Sequence, residues 1–221
     1  LTAIVAGTYT CTITDANSCQ LVHAKTLTQP AAALSATSVV TNVSCNGLAT
    51  GAINITAANG TGNYTYAWVA SAGGALNANA ANAEDLTAIV AGTYTCTITD
   101  ANSCQLVHAK TLTQPAAALS ATSVVTNVSC NGLATGAINI TAANGTGNYT
   151  YAWVASAGGA LNANAANAED LTAIVAGTYT CTITDANSCQ LVHAKAVTQP
   201  VTLSATSVVT NVSCNGLATG A

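Results

Sequence analysis

Residues 1–85 and 86–170 are the same 85 letters in the same order, and residues 171–221 begin a third copy. Identity over a fixed period makes the period the folding unit and the chain an array of one module. An enzyme needs one site placed once, whereas a stalk, fibre or adhesin needs one brick many times. The repeat therefore points to a structural role before any motif is read. The third copy departs from the others only near its joint, where Ala196-Val197 replaces Thr111-Leu112 and Val201-Thr202 replaces Ala116-Ala117-Ala118. The chain is read as a window on a longer array.

Charge is scarce: three Lys, no Arg and seven acidic residues give a net charge of −4. A nucleic-acid binder needs a basic stripe that displaces counterions, and none exists here. No run approaches the roughly 18 consecutive apolar residues of a membrane-spanning helix. No basic n-region and apolar h-region open the chain at Leu1, so any signal peptide is expected to lie outside these residues. A surface solvated by hydroxyls and amides suits an extracellular polymer. Nine Cys fall three per period, at Cys11, Cys19, Cys45, Cys96, Cys104, Cys130, Cys181, Cys189 and Cys214, with no CxxC among them. That usage predicts an oxidising compartment.

Period-two alternation predicts short strands divided by Gly/Asn turns. The first runs over 38–45 and closes at Asn46-Gly47. The second, over 51–57, puts Ile53 and Ile55 on one face. The third, over 63–69, groups Tyr64, Tyr66 and Trp68. An Ala/Asn/Gly-rich stretch, 70–83, reads as a loop with one or two edge strands. Residues 86–90 lead into 92–99, where Tyr94, Cys96 and Ile98 share a face against four threonines. A hairpin turn at 100–103 leads into 104–113, which ends at Gln114-Pro115. About seven strands in 85 residues predict an all-β fold of tandem immunoglobulin-like β-sandwich domains in an extended array. Pro30, Pro115 and Pro200 mark the joints, because proline cannot donate to a ladder and stiffens the backbone. The expected domains are a C-terminal fragment (1–33), two complete repeats (34–118 and 119–202) and an N-terminal fragment (203–221).

Two spacings support the sandwich. Tyr94 stands two residues before Cys96, the spacing of a tyrosine corner, and Trp68 falls where such folds bury a Trp. With no Phe or Met, the core must rest on Trp68 and Tyr94, their equivalents Trp153 and Tyr179, and aliphatic residues. Each large buried side chain contributes roughly 1.5–3 kcal/mol, so an Ala-rich module has little stability to spare.

The order Cys45-Asn46-Gly47, Gly60 to Trp68, Ala91 to Tyr94, Asp100 to Cys104 and Gln114-Pro115 resembles the SprB repeat, a module of very large secreted adhesins of gliding and other Bacteroidetes. Two positions depart from the family pattern: Cys96 stands where Val is usual, and Ser103 where Gly is usual. The resemblance implies a secreted surface filament, exported by the type IX system, that serves adhesion or gliding.

Among the residues able to carry chemistry, Cys96 faces Ile53 and Ile55 and no second cysteine. It and its equivalents Cys11 and Cys181 are expected to be buried free thiols acting as small hydrophobes. Cys45, Cys104, Cys130 and Cys189 remain as disulfide candidates, paired either within one repeat or from Cys45 to Cys189 of the next. In a standard sandwich Cys45 and Cys104 lie roughly 25–30 Å apart, while a bridge needs Cα atoms within about 7 Å. That favours the link between repeats; a displaced first strand would allow the bridge within one repeat, which is the working expectation.

Glu84-Asp85 and Asp100 with Asn102 offer too few oxygens for Ca²⁺, and Asp100 is expected to cap its own turn. His23, His108 and His193 recur once per module and read as strand-surface residues, not a zinc site. Lys110 would support an isopeptide cross-link only if buried. Asn42, Asn54, Asn59 and Asn63 open sequons, most or all of which should be bare in a bacterial protein, the source that the resemblance implies. No catalytic, metal or cofactor set appears in any period. The expected function is a non-enzymatic structural repeat region of an extracellular filament or cell-surface adhesin. The alternative is a carbohydrate-binding or spacer module of a larger secreted enzyme. Expected partners are neighbouring repeats, surface polysaccharide or other copies of the filament, with no nucleic acid and no membrane span.

Overall fold

Along Gly92–Thr99 inward and outward positions alternate without a break: Gly92, Tyr94, Cys96 and Ile98 are buried, and Thr93, Thr95, Thr97 and Thr99 are half-buried. A pleated strand sends successive side chains to opposite faces, so the letters GTYTCTIT build one apolar face and one hydroxyl face. The same rule forms the other strands. The computed structural model describes residues 2–77, 80–162, 165–216, 218 and 220. Its strands are β1 (Gly7–Thr14), β2 (Gln20–Leu27), β3 (Ser35–Thr41), β4 (Gly51–Ala58), β5 (Thr65–Ser71), β6 (Leu86–Ile89), β7 (Gly92–Thr99) and β8 (Gln105–Leu112). The next repeat supplies β9 (Ser120–Thr126), β10 (Gly136–Ala143), β11 (Thr150–Ser156), β12 (Leu171–Ile174), β13 (Gly177–Thr184) and β14 (Gln190–Val197). No α-helix occurs among the described residues, and no helix is long and apolar enough to cross a membrane.

The chain divides into two compact units, Leu1–Pro115 and Ala116–Ala221. In the first, β3-β4-β6 form one antiparallel sheet and β5-β7-β8 a second, while β1 and β2 pair on their own. Ile53, Ile55, Leu86 and Ile89 from one sheet meet Trp68, Tyr94, Cys96, Ile98 and Leu112 from the other in a single core. This is a β-sandwich of immunoglobulin-like layout. The second unit repeats it with β9-β10-β12 and β11-β13-β14 around Ile138, Ile140, Trp153, Tyr179 and Cys181.

Among the described residues six strands form per repeat, one fewer than the spacing suggested. Within 70–83 the described residues hold a short 3₁₀ turn, Ala80–Asn82, and no strand beyond the end of β5; Ala78 and Asn79 lie outside the described residues. The loop is pinned from beneath by Trp68, whose Nε1–H donates to the Ala83 carbonyl at 2.9 Å.

The first strand also differs from the expected 38–45. β3 ends at Thr41, and the chain then changes sheets: the Val43 amide donates to Thr113 O at 3.0 Å, and the Thr113 amide donates to Asn42 Oδ1 at 3.0 Å. Val43 is buried there, so its apolar signal was real but belonged to a second pairing.

Candidate functional site

Each repeat has two poles. Register places Ser35 opposite Ala58, Thr65 opposite Thr99 and Thr99 opposite Gln105 at the leading pole. It places Thr41 opposite Ala52, Gly51 opposite Ile89 and Gly92 opposite Leu112 at the trailing pole. The chain enters at the first and leaves at the second, an eight-residue strand away, or roughly 27 Å at about 3.4 Å per residue.

Asp100 organises the leading pole. Its carboxylate accepts the amides of Thr61 (2.9 Å), Asn102 (2.9 Å) and Cys104 (2.8 Å). The Ala101 amide donates to Thr61 O at 2.9 Å, so the β7–β8 turn is tied to the β4–β5 turn. The Thr61 amide foremost, then that of Cys104, holds the Asp100 carboxyl below the usual carboxylate range because both stabilise the anion. Its equivalent Asp185 is raised by burial, but the amides of Thr146, Cys189 and Asn187 outweigh this and leave it lowered. The turn cap read from sequence is present, and the reach to Thr61 was the missing part. Leu34 closes this pole: a side chain added at Gly60 would meet Leu34 Cδ1 at 2.8 Å and Asp100 Cβ at 3.1 Å. Beside it, Gln29 and Pro30 of the preceding joint line a cleft of about 370 Å³ together with Asn59, Asp100, Cys104 and Gln105.

The trailing pole is clasped by the Cys45-Asn46-Gly47 loop. Asn46 Nδ2 donates to Pro115 O at 2.7 Å, the Gly47 amide to Gln114 Oε1 at 2.8 Å, and the Ser44 amide to Thr50 Oγ1 at 2.9 Å. The second repeat repeats the clasp: Asn131 Nδ2 donates to Pro200 O at 3.0 Å and the Gly132 amide to Gln199 Oε1 at 2.8 Å. Family motifs at opposite ends of the sequence period are thus hydrogen-bonded partners in space.

Above it the tyrosine corner forms, with Tyr94 fully buried and its hydroxyl donating to Val90 O at 2.8 Å. Tyr179 does the same to Val175 O at 2.8 Å. Trp68 and Trp153 are buried directly across from Cys96 and Cys181. Those two cysteines are buried free thiols, and burial pushes both up in pKa.

The cysteines bring corrections. Cys11 is an exposed free thiol, because among the described residues β1 and β2 form a two-stranded sheet with no second sheet over it. Cys104 and Cys130 are exposed free thiols, whereas Cys45 and Cys189 are disulfide-bonded. The bridge within one repeat, Cys45 to Cys104, does not form. The two stand at opposite poles, with β8 between them.

The acids and histidines have local structural roles. Asp85 accepts Asn54 Nδ2 at 2.8 Å and the Ile55 amide at 2.9 Å. Glu84 accepts the Tyr66 hydroxyl at 3.0 Å, and burial together with that bond pushes the Tyr66 phenol up to about 12. His108 is half-buried, not on the strand surface; its Nε2 meets Ser38 Oγ at 3.0 Å and so joins β8 to β3 across the sandwich. His193 meets Ser123 in the same way. Alternation carried the signal for this, since His108 shares its row with Leu106 and Leu112. Lys110 is half-buried on that row. Of the sequon residues, Asn42, Asn54 and Asn59 each hold a side-chain hydrogen bond, the last to Ser35 Oγ at 2.8 Å. No group of three or more His, Cys, Asp or Glu able to hold a metal occurs among the described residues.

Part of each copy matches a family model. Residues 37–73 and 122–158 match the SprB repeat. The family expected from the motifs is the family found, and the matched segment runs from β3 through the clasp loop to the end of β5 in each copy. The chain thus carries two segments similar to the SprB repeat, one in each copy. No curated protein matches it. Among solved structures, domains 7, 8 and 9 of the S-layer protein SbsC align at 21% identity over 91% of this chain and 72% of that one, with a TM-score of 0.28. Extracellular domains 3–5 of Drosophila OTK align at 15% identity over 88% and 72%, also with a TM-score of 0.28. Superpositions this loose carry no argument here.

Proposed function

We propose that these repeats form the shaft of an extracellular filament or cell-surface adhesin, serving attachment or gliding, without enzymatic activity of their own. The observation that carries this reading is the path of the chain through each repeat. It enters at the Asp100 pole, leaves at the Gln114-Pro115 pole, and is clasped there by Asn46 and Gly47. A brick traversed from pole to pole and copied letter for letter adds length with every copy. Its exposed outer faces, rich in Thr with exposed Val69 and Val107, repeat with the same period. A weak affinity for surface polysaccharide or for another filament would therefore be multiplied by avidity. Type IX export and an extracellular location belong to the same proposal.

Electron microscopy of purified arrays holding two, four and eight repeats tests it. A shaft predicts end-to-end length rising in proportion to copy number. Clusters whose size grows only as the cube root of copy number would end the reading. A catalytic domain elsewhere in the full gene would move the repeats to the spacer role in a secreted enzyme.

A further inference from the structure

We infer that each repeat carries a shear clamp: five hydrogen bonds tie the segment entering the repeat to the segment leaving it, and they must yield together before the repeat can lengthen. The source of the load rests on the shaft reading; the clamp itself rests on bonds made inside each repeat.

The entering segment is β3 with the clasp loop after it, and the leaving segment is β8 with Thr113, Gln114 and Pro115 after it. They belong to different sheets, β3 beside β4 and β8 beside β7, yet they are bonded directly to each other. Ser38 Oγ meets His108 Nε2 at 3.0 Å. The Val43 amide donates to Thr113 O at 3.0 Å, and the Thr113 amide donates back to Asn42 Oδ1 at 3.0 Å. Asn46 Nδ2 and the Gly47 amide then reach Pro115 O and Gln114 Oε1. Between the Ser38–His108 pair and the Val43–Thr113 pair both partners advance by five residues, 38 to 43 and 108 to 113. The two segments therefore run parallel. The second unit makes the same five bonds: Ser123 with His193, Val128 with Thr198, Thr198 with Asn127, Asn131 with Pro200 and Gly132 with Gln199.

Parallel direction decides how force acts. Traction from the two poles draws the entering segment towards the leading pole and the leaving segment towards the trailing one. Parallel neighbours drawn in opposite senses slide along each other, so the whole row is loaded at once. Drawn apart from one end, the same row would open bond by bond. The buried Val43 side chain backs the middle of the row, close enough to Leu112 that a side chain at Gly51 would strike both. That packing keeps out water, the competitor for every opened hydrogen bond. The bonds to Gln114 and Pro115 extend the row past the end of β8, so the leaving chain is held at its exit.

Forced unfolding follows the barrier along the pulled direction and not equilibrium stability, which gives a direct test. The wild-type chain is pulled by two routes at one loading rate, with reductant present so that the disulfide at Cys45 takes no load. Traction between the chain's two ends shears the row. Handles on unnatural side chains at Ala33 and Gln105, both exposed at the leading pole, peel it open. The end-to-end route should need a several-fold higher force, and equal forces overturn the inference. Asn42→Ala with Asn127→Ala should lower the end-to-end force of both repeats. Asn77→Ala with Asn162→Ala removes bonds that tie the 70–83 loop and its equivalent to β6 and β12, and should leave that force unchanged at a comparable loss of stability in urea. Forces that fall in proportion to stability in both pairs also overturn the inference, and the two-route comparison decides it even if a variant fails to fold. A weak end-to-end force in arrays whose length still rises with copy number would end this inference alone, whereas clusters in the micrographs would end the shaft reading.

Discussion

The hairpins β1–β2 and β7–β8 have identical letters and identical register, Gly7 opposite Leu27 in one and Gly92 opposite Leu112 in the other. Even the hydroxyl of Tyr9 donates to Val5 O at 2.8 Å, as that of Tyr94 does to Val90 O at 2.8 Å. Yet Cys11 is exposed and Cys96 completely buried. Strand formation, register and the corner hydrogen bond are therefore local properties of these letters. Burial is not: it is conferred by Ile53, Ile55, Leu86 and Ile89 of the facing sheet. One sequence in two surroundings separates what a segment decides from what its partner decides.

The largest expected effects break the second hairpin while sparing the first. A β-carbon at Gly92 would collide with the Gly74 backbone, whereas at Gly7 the nearest atom is Tyr9 Cε2 at 3.8 Å. Gly92→Ala should cost about 3 kcal/mol or more, because backbone has nowhere to move, while Gly7→Ala should be near neutral in urea unfolding of the whole chain. Ile53→Ala, which empties the roof over Cys96, should cost about 2–5 kcal/mol. It should also make Cys96 react with a thiol reagent at a rate approaching that of Cys11; a Cys96 that stays protected would refute the division drawn above.

Next come the titrations. Asp100 accepts three amides and Asp15 two, lacking a counterpart of Thr61. With its folded pKa below 3.8, Asp100 binds fewer protons folded than unfolded in that range. Its contribution is complete above 3.8 and lost as pH falls through the folded value. His108 is lowered from 6.5 by burial and then by Lys110, so its contribution is complete above 6.5 and lost on acidification below it. Tyr66, raised from 10.0 to about 12, acts at the other end: stability is lost as pH rises from 10 through 12. Thermal melts across pH should therefore show an acid decline in two stages, and replacing both His108 and its equivalent His193 with Gln should remove the upper one. The smallest effect is at Ser103, held at φ 65°, a left-handed conformation that favours glycine. Ser103→Gly should change stability by less than about 1 kcal/mol, towards greater stability.

Much of this was legible because alternation of two is a strong signal where one face is wholly apolar. The strand 92–99 and the inward Tyr94, Cys96 and Trp68 followed from it directly. The 38–45 run reads as one strand because Val39, Val40 and Val43 look alike in sequence, although Val39 points to solvent and Val43 pairs with Thr113 just past the end of β8. The exposure of Cys11 was illegible for the reason the hairpins teach, since the same letters cannot announce whether a second sheet covers them. The fates of Cys45 and Cys104 were half legible: strand topology set them at opposite poles, and only the folded chain shows which thiols are bonded.

Thiol-reagent kinetics on the folded chain test the central claim most directly, that the letters set the strand while the facing sheet sets its burial. The account predicts that Cys11 is modified at the rate of an exposed thiol, whereas Cys96, within the same eight letters, stays protected until the chain unfolds. Equal rates at the two cysteines in the folded chain would contradict it.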